Sequence, residues 1–473
     1  MRKVLFVFVA SVICFFSNAQ LVIHSVPAEV AHNNDYDVKV RLAGGAWKDL
    51  FEYQVLVDMH KVRNSSMVTF DFNGTVEVAV KCQRESVKTV RIRPYSLGIE
   101  PVIKGDTVFF TLTKPVNLSL EINGDIFRNL HVFTNPLESH FPEKKDKKVI
   151  YIGPGFHTFP NNELKIPSGK TLYLAGGAVV KANLICDSVN NVKIGGRGII
   201  YQPENGLKAT FSKNIEISDL IFINSSHYTI FGGQSQNIGI KNIRSFSCKG
   251  WSDGIDMMSC SEVLVDGVFM RNSDDCIALY GHRWNYYGDC RNIIVKNSTL
   301  WADVAHPIMI GTHGNPDKPE VLENIIFQNI DILNQDEPQL NYQGCMAINV
   351  SDENLARNIL FENIRVDDIE QGQLVNLRVT FNKKYATAPG RGIENVYFKN
   401  ISYNGKNAGT SILEGFTNER SIRNITFENL KINAVLIDDK MKKPGYFQTA
   451  DVAKFYSGVY VENLKFISTE NDK

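Results

Sequence analysis

Four aspartates lie close together near the middle of the chain. Asp253 and Asp256 belong to a Ser-Asp-Gly-Ile-Asp segment, and Asp274 and Asp275 follow in an Asn-Ser-Asp-Asp-Cys segment. Like charges disfavour joint ionisation, so at least one of these carboxyl groups should keep its proton at neutral pH. One protonated and one ionised carboxyl group are what acid–base cleavage of a glycosidic bond requires. The competing interpretation is that each aspartate is an ordinary turn residue.

Aromatic and histidine side chains surround the aspartates in the sequence. Flat aromatic faces stack on the apolar faces of sugar rings, and nearby donors can hold hydroxyl groups. Core packing is the competing interpretation for Tyr280, and a buried, hydrogen-bonded imidazole is the competing interpretation for His306. Arg283 adds a further donor in the same region. The predicted substrate-binding residues are Asp256, Trp251, Tyr280, Trp284, His282, His227 and His306, beside the candidate catalytic residues Asp253, Asp274 and Asp275.

A repeated unit organises the second half of the chain. Each copy begins with Asn and contains an alternating strand, a polar turn residue and a second short strand. Self-similarity at a spacing of roughly 20 to 40 residues indicates a solenoid, because stacked coils bury a core that one coil cannot. The repeated Asn side chains can hydrogen-bond from coil to coil. The pattern predicts a right-handed parallel β-helix over residues 149–473. Its copies start at Asn214, Asn237, Asn292, Asn324, Asn358, Asn395 and Asn424, with a divergent copy at Glu262.

Comparison of the coils distinguishes the two interpretations of the aspartates, catalytic carboxyl groups or ordinary turn residues. An Asp-Asp pair occurs at residues 274–275, and the other coils have none at the corresponding place. Solenoid turns alone would not require such a pair in one coil. The chemical interpretation is therefore favoured.

The first part of the mature chain has a different pattern. Residues 20–136 contain short alternating stretches bounded by Asn, Gly, Asp and Pro, which predicts a β-sandwich. Residues 137–148 are polar and include Pro142, so they are interpreted as a linker. The sandwich is expected to pack on the β-helix and cover its N-terminal end, since an open solenoid exposes apolar core and strand edges. The predicted fold class is all-β.

Residues 1–19 have the features of a secretory signal. Arg2 and Lys3 precede an apolar stretch at residues 4–16, and small residues end at Ala19. Cys14 raises the alternative of a lipid anchor, but Ile13 precedes it where a small residue is expected. Cleavage after Ala19 predicts an exported protein, periplasmic or extracellular, without membrane insertion.

Composition narrows the possible partners. Lys plus Arg and Asp plus Glu both number 51, so no basic surface for nucleic acid is indicated. The seven cysteines after the leader are irregularly spaced and indicate neither a zinc site nor a full disulfide framework. One or two disulfides are an alternative in an oxidising compartment. The expected partner is a polysaccharide or oligosaccharide, and a monomer is the default. No cofactor and no metal are expected, because carboxyl acid–base hydrolysis needs neither.

The aspartate segments resemble a known group of enzymes. The stretches at residues 252–258, 272–280 and 305–314 are similar to the catalytic core of polygalacturonases and dextranase–isopullulanases, glycoside hydrolase families 28 and 49. The resemblance implies an inverting mechanism with Asp274 as general acid and Asp253 and Asp275 activating water. It also places His306 on the family histidine. The choice of base among Asp253, Asp256 and Asp275 stays open.

Departures from the family pattern bear on the sugar. Trp251 replaces the first Asn of the motif, and Pro307 stands where the family has Gly. The Arg-Ile-Lys segment that holds a substrate carboxylate should fall near residues 344–349, which contain neither Arg nor Lys. Arg378 could substitute from a neighbouring coil. The sandwich before the helix and the Leu279-Tyr280 continuation resemble the dextranase–isopullulanase side, which favours a neutral glycan over a polygalacturonase-like pectin substrate.

Two other functions fit the same fold. A pectate-lyase-like eliminase would need a uronate and usually calcium, so chelation should abolish its activity. A glycan-binding protein without activity would use the carboxylates only to hold sugar hydroxyl groups.

Overall fold

The computed structural model describes residues 19–139 and 141–469; the predicted leader lies outside them apart from Ala19. The N-terminal part forms two β-sheets, with strands β1 (Gln20–Val22), β2 (Tyr36–Leu42), β3 (Lys48–Asp49), β4 (Tyr53–Val57), β5 (Arg63–Asn73), β6 (Val76–Cys82), β7 (Val90–Arg93), β8 (Val102–Lys104), β9 (Thr107–Leu112), β10 (Asn117–Ile122) and β11 (Leu130–Asn135). A short 3₁₀ helix spans Tyr95–Leu97.

The two sheets face each other across an apolar core. One contains β1, β4, β5, β7, β10 and β11, and the other contains β2, β3, β6, β8 and β9. Alternate side chains point inward: Val38 and Val40 of β2 and Val78 of β6 are buried. They meet Phe70 and Leu118 from the opposite sheet. This period of two is what the sequence alternation requires.

The remaining strands wind into a solenoid. They are β12 (Val149–Ile152), β13 (Gly155–Lys165), β14 (Thr171–Leu174), β15 (Ala178–Asp187), β16 (Asn190–Gly196), β17 (Ile199–Tyr201), β18 (Leu207–Thr210), β19 (Lys213–Ser218), β20 (Ile221–Ser225), β21 (Ile230–Gly233), β22 (Gln236–Lys241), β23 (Arg244–Ser247), β24 (Ile255–Met258), β25 (Ser261–Asp266), β26 (Phe269–Ser273), β27 (Ile277–Tyr280), β28 (Cys290–Val304), β29 (Ile308–Gly311), β30 (Val321–Gln335), β31 (Met346–Val350), β32 (Leu355–Val366), β33 (Val375–Val379), β34 (Gly392–Tyr403), β35 (Ser411–Glu414), β36 (Ile422–Glu428), β37 (Leu430–Ile432), β38 (Val435–Ile437), β39 (Phe455–Ser457) and β40 (Val461–Ile467). A second 3₁₀ helix spans Leu340–Tyr342, and a one-turn helix, α1, spans Thr449–Val452.

Strands of successive coils pair in parallel and form three long sheets. Sheet A includes β19, β22, β25 and the first half of β28. Sheet B includes β20, β23, β26 and the second half of β28. Sheet C includes β21, β24, β27, β29, β31 and β33. The prediction of a β-sandwich followed by a parallel β-helix is confirmed.

The repeated asparagines form the predicted ladder. The side-chain amide of Asn424 donates to Asn395, and that of Asn395 donates to Asn358, at 2.9 and 3.1 Å. Asn395 has φ +56°, a left-handed conformation that Asn tolerates better than most residues. Inside the coils, rings stack at centroid spacings of 4.5 to 5.3 Å along the row Phe327, Phe361, Phe398, Phe427 and Phe466.

The sandwich packs along the flank of the solenoid rather than over its N-terminal end alone. Tyr53, Val55 and Phe133 share one buried cluster with sheet B side chains that run from Val179 to Leu333. Arg271 of sheet B is fully buried, pairs with Asp303 at 2.9 Å and donates to Asn129 of the sandwich at 2.8 Å. The expected packing of the sandwich on the β-helix thus extends along the flank, because the outward face of sheet B is itself apolar.

The structure bears on the expectations about the cysteines and about membrane insertion. The cysteines from Cys82 to Cys345 in the described residues are all buried and free. No helix within residues 19–139 and 141–469 is long and apolar enough to cross a membrane.

Candidate active site

The catalytic candidates lie in the turns that lead into sheet C. The Gly254 N–H donates to the Asp275 carbonyl at 2.8 Å, which fixes one turn on top of the next. As a result, carboxylate oxygens of Asp253, Asp274 and Asp275 lie within 4.8 Å of one another. The stacking of coils that the repeat predicts brings these residues together from separate segments of the sequence.

Asp274 is the partly exposed member of this cluster. Its two oxygens accept hydrogen bonds from the N–H groups of Trp251, at 2.8 Å, and Asp275, at 3.2 Å. Burial, followed by the neighbouring Asp275 charge, raises the pKa of Asp274 to about 7, although these N–H groups and His306 act in the opposite direction. A carboxyl group in this state can donate a proton near neutral pH.

Asp275 forms a buried pair with His306. Nδ1 of His306 lies 2.7 Å from Asp275 Oδ1, and Nε2 lies 2.5 Å from the Tyr342 carbonyl oxygen. Both partners are acceptors, so the ring satisfies them only when both nitrogens carry protons. Burial alone lowers the pKa of His306, but the charge and hydrogen bond of Asp275 outweigh burial and raise it. A protonated imidazole here forms a buried ion pair with Asp275.

Asp253 and Asp256 are buried without comparable support. Oδ1 of Asp253 and both oxygens of Asp256 have no hydrogen-bond partner among the described residues. Burial is the main cause that raises the pKa of each well above its usual range, and the neighbouring aspartates add to it. The charge of Arg283 acts in the opposite direction on both carboxyl groups. Arg283 is therefore a cation whose charge acts on both Asp253 and Asp256.

Arg283 is a functional candidate that the sequence indicated only as a hydrogen-bond donor. Its guanidinium carbon lies 4.9 Å from the ring centroid of Trp284, 5.3 Å from that of Tyr280 and 5.9 Å from that of Tyr228. The structure gives this side chain neither an ion pair nor a hydrogen bond among the described residues. Its position among the aromatics in the polar segment after β27 was the only sequence signal.

Two tryptophans project beside the cluster. Trp251 and Trp284 are 69% and 52% exposed, so neither residue belongs to the core. Both have left-handed backbones, with φ of +58° and +55°, which is unusual for bulky side chains. Trp284 stacks on Tyr228 with centroids 5.9 Å apart. These exposed faces are suited to stacking on sugar rings.

The other predicted binding residues are placed differently. His306, Tyr280 and Asp256 have at most 2% of their surface exposed, so direct contact with a substrate does not fit their positions. The Tyr280 hydroxyl instead donates to Asp275 at 3.3 Å. His282 is partly exposed and stacks on Tyr287 at 4.1 Å.

His227 is partly exposed, and burial lowers its pKa. Its Nδ1 has no partner among the described residues, and its ring contacts Tyr228 at 4.3 Å. It therefore lies beside the aromatic group, where a donor or acceptor remains free.

Arg378 does not take the place of the missing family cations. It lies on β33, three strands of sheet C beyond β27, which corresponds to roughly 14 Å along the axis. Its guanidinium is already paired with Glu414 at 2.6 Å. The three clustered aspartates also offer oxygens close enough for one divalent cation, as the eliminase alternative would require.

Comparison with known proteins agrees with the class that the aspartate motif indicates. A family model described as glycosyl hydrolases family 28 matches residues 186–455, more than half of the chain. The chain therefore belongs to this family. A curated relative, the putative galacturan 1,4-alpha-galacturonidase A of Aspergillus niger, is 21% identical over 208 residues, which cover 38% of this chain and 45% of the relative. The chain spans about half or less of the curated relatives it matches.

Solved structures share the fold. Dex49A from Penicillium minioluteum covers 94% of this chain and 96% of its own, with a TM-score of 0.61 and 13% identity. The family 28 exopolygalacturonase of Yersinia enterocolitica covers 85% of this chain and 97% of its own, with a TM-score of 0.50 and 12% identity. The predicted resemblance to glycoside hydrolase family 28 is confirmed by the family match, and both solved structures share the fold of this chain.

Proposed function

We propose that this protein hydrolyses glycosidic bonds in a polysaccharide or oligosaccharide. The observation that carries the proposal is the contrast between two adjacent carboxyl groups. Asp274 is partly exposed and has a pKa of about 7, whereas Asp275 is held by the buried His306. Asp274 donates the proton to the leaving oxygen, and Asp275 remains a carboxylate beside it. Family membership and the stacked fold support the same reaction class.

Water activation is assigned to Asp275, and Asp253, whose pKa burial raises, positions the water beside it. A water molecule hydrogen-bonded to two oxygens at about 2.8 Å can bridge carboxylates whose nearest oxygens are within 4.8 Å. The same spacing is shorter than the roughly 6.5–9.5 Å between carboxyl groups that is usual for inverting enzymes. The stereochemistry of the product tests the inverting mechanism that the resemblance implies. Proton NMR of the first-formed product should show the anomer opposite to the substrate linkage; retention would assign a nucleophile instead of a base.

A neutral glycan is the first candidate substrate. Residues 344–349 lack the cations that hold a uronate in the resembling polygalacturonases, and Arg378 is occupied by Glu414. The exposed Trp251 and Trp284 faces bind neutral rings without needing a charge.

An acidic glycan is the second candidate, and Arg283 is the observation that favours it. Its guanidinium is held among aromatic rings beside the aspartates and is free to form a bidentate pair with a carboxylate. The name of the Aspergillus niger relative refers to a galacturonan-degrading activity.

Reducing-sugar release from a substrate panel tests both candidates. The panel contains dextran, pullulan, galactan, arabinan and polygalacturonate, with the Asp274→Asn variant as control. Activity on any polymer should fall about 10²–10⁴-fold in the variant, because the acid is lost while its shape is kept. Equal activity in the variant would contradict the acid assignment, and silence of the native protein on every glycan would favour a binding role.

Arg283 variants separate the two substrate classes. Arg283→Met keeps the length and removes the charge, while Arg283→Lys keeps the charge and loses the planar donor pair. On an acidic polymer, Arg283→Met should lower kcat/KM about 10- to 100-fold, with partial recovery in Arg283→Lys. On a neutral polymer the charge should matter little. Loss of activity on addition of a chelator would instead support the calcium-dependent eliminase.

A further inference from the structure

A turn of the N-terminal domain reaches the segment that carries Asp274. This turn, residues 58–62, connects β4 and β5. The Met59 N–H donates to Ser273 Oγ at 3.1 Å, and the Asp58 N–H donates to Asp303 at 3.3 Å. Ser273 is fully buried. The sandwich is therefore attached to the β-helix by a hydrogen bond immediately before the proposed acid.

The same turn lies near the second segment that holds Asp274. Sδ of Met59 lies 4.0 Å from the position that a Cβ would take at Gly250, the residue before Trp251. The Trp251 N–H is the donor to Asp274 Oδ2. The turn is thus hydrogen-bonded to the residue preceding the acid and lies near the residue preceding its hydrogen-bond donor.

The turn is held by its own hydrogen bonds, and the strand it contacts changes register at the same place. Asp58 has φ +57°, and its Oδ1 accepts the N–H groups of His60 and Lys61 at 3.1 and 3.3 Å. Pairing between β26 and β28 changes register between Asn272 and Ser273. After this shift Ser273 pairs with Val304, so the contact from Met59 is an additional anchor at the irregular point of the strand.

We propose that Ser273 is a positioning residue through which the N-terminal domain sets the geometry of the Asp274 carboxyl group. The proposal rests on the proposed role of Asp274 as general acid. It assigns the sandwich a part in catalysis in addition to covering the flank of the helix. Ser273 itself touches no substrate, because it has no exposed surface.

The test removes one interdomain hydrogen bond at a time from the full-length protein. Ser273→Ala deletes the acceptor of the Met59 N–H, and Ser273→Thr retains a hydroxyl group. The matched control is Asn224→Gly, which deletes the acceptor of the Leu56 N–H, a bond of 2.8 Å from the same strand region to an earlier coil. Gly suits position 224 because Asn224 has φ +58°.

Ser273→Ala should lower kcat about 5- to 20-fold with little change in KM, because misplacement of a catalytic group affects the chemical step. The alkaline limb of the pH–rate profile of Ser273→Ala should move to higher pH, because a weaker hydrogen bond from the Trp251 N–H favours the protonated form of Asp274. Ser273→Thr should recover most of kcat. Asn224→Gly should lose similar thermal stability and keep both kcat and the pH profile. The groups that also face Asp274 and stay unchanged in all variants are Asp253, Asp256, Asp275, His306, Tyr228 and Tyr342.

The outcomes separate this inference from the proposed function. If Asp274→Asn is inactive but Ser273→Ala behaves like Asn224→Gly, the positioning role is wrong and the acid assignment stands. If Ser273→Thr matches Ser273→Ala in kcat although both fold with native stability, the hydroxyl contact is not the cause. If Asp274→Asn keeps native activity, the proposed function itself fails.

Discussion

At the scale of residues, the surroundings of Asp274 differ from those of Asp275, and this difference favours unequal protonation of the two carboxyl groups. The doubly hydrogen-bonded His306 supports a carboxylate on Asp275, and that charge in turn favours the protonated form of Asp274. Asp253 and Asp256 lie in the same buried region without hydrogen-bond partners for most of their oxygens. Such concentration of unpaired acidic groups is destabilising, and it is typical of sites where chemistry rather than stability sets the residues.

The pH dependence of activity should report the acid. Asp274 must be protonated to act, and its pKa is about 7. We expect kcat/KM to fall about tenfold for each pH unit above roughly pH 7. A pH–rate profile on the substrate identified by the panel measures this limb. A plateau extending beyond pH 9 would contradict the assignment of Asp274.

Replacement of Asp256 should stabilise the protein at alkaline pH. Burial raises its pKa above the unfolded value, so the folded state keeps a proton that the unfolded chain releases. Native stability relative to Asp256→Asn should therefore fall as pH rises above about 4, by up to about 1.4 kcal/mol per pH unit. Denaturant unfolding at pH 4, 6 and 8 measures the difference. A difference that is constant with pH would show that Asp256 titrates alike in both states.

At the scale of elements, each coil is held by side chains that repeat in register. The Asn ladder lies at turns of left-handed backbone, and the Phe row fills the interior behind it. Asn serves both requirements, because its amide donates and accepts while its backbone tolerates positive φ. The turns before sheet C are then fixed at about the strand spacing, which brings carboxyl groups of neighbouring coils together.

Two substitutions at Asn395 separate these contributions. Asn395→Gly removes the hydrogen bonds to Asn358 and Asn424 but suits φ +56°, whereas Asn395→Ala also strains the backbone. We expect losses of about 1 kcal/mol for Gly and about 2–3 kcal/mol for Ala. Urea unfolding monitored by circular dichroism measures both. Equal losses would mean that backbone conformation contributes nothing at this turn.

At the scale of the whole molecule, the sandwich and the solenoid share a continuous apolar interface. Phe246, Phe269 and Trp301 of sheet B are fully buried against Val55 and Phe133 of the sandwich. Burial of each such side chain contributes roughly 1.5–3 kcal/mol, so the interface is large compared with the stability of a typical domain. The two parts should therefore depend on each other for solubility.

Deletion of residues 20–145 should give insoluble protein. The truncation exposes the sheet B side chains and leaves the buried Arg271 without its Asn129 contact. Expression in parallel with the full-length chain, followed by separation of soluble and pelleted fractions, measures the effect. A soluble truncation with full activity would contradict both the packing role and the positioning role of the N-terminal domain.

The strands, the coil repeat and the grouping of the aspartates could be predicted from local patterns of residues. Within the alternating stretches of residues 20–136, Val76–Cys82 is a strand of the structure, because a period of two is a local property of the chain. The contacts of the loops and of the N-terminal domain depend on the packing of distant segments and could not be predicted from these patterns. His306 is buried with both ring nitrogens hydrogen-bonded, Arg283 lies where its charge acts on the aspartates, and Met59 contacts Ser273, 214 residues away in sequence. Such contacts depend on how separate elements pack, and no local pattern encodes them.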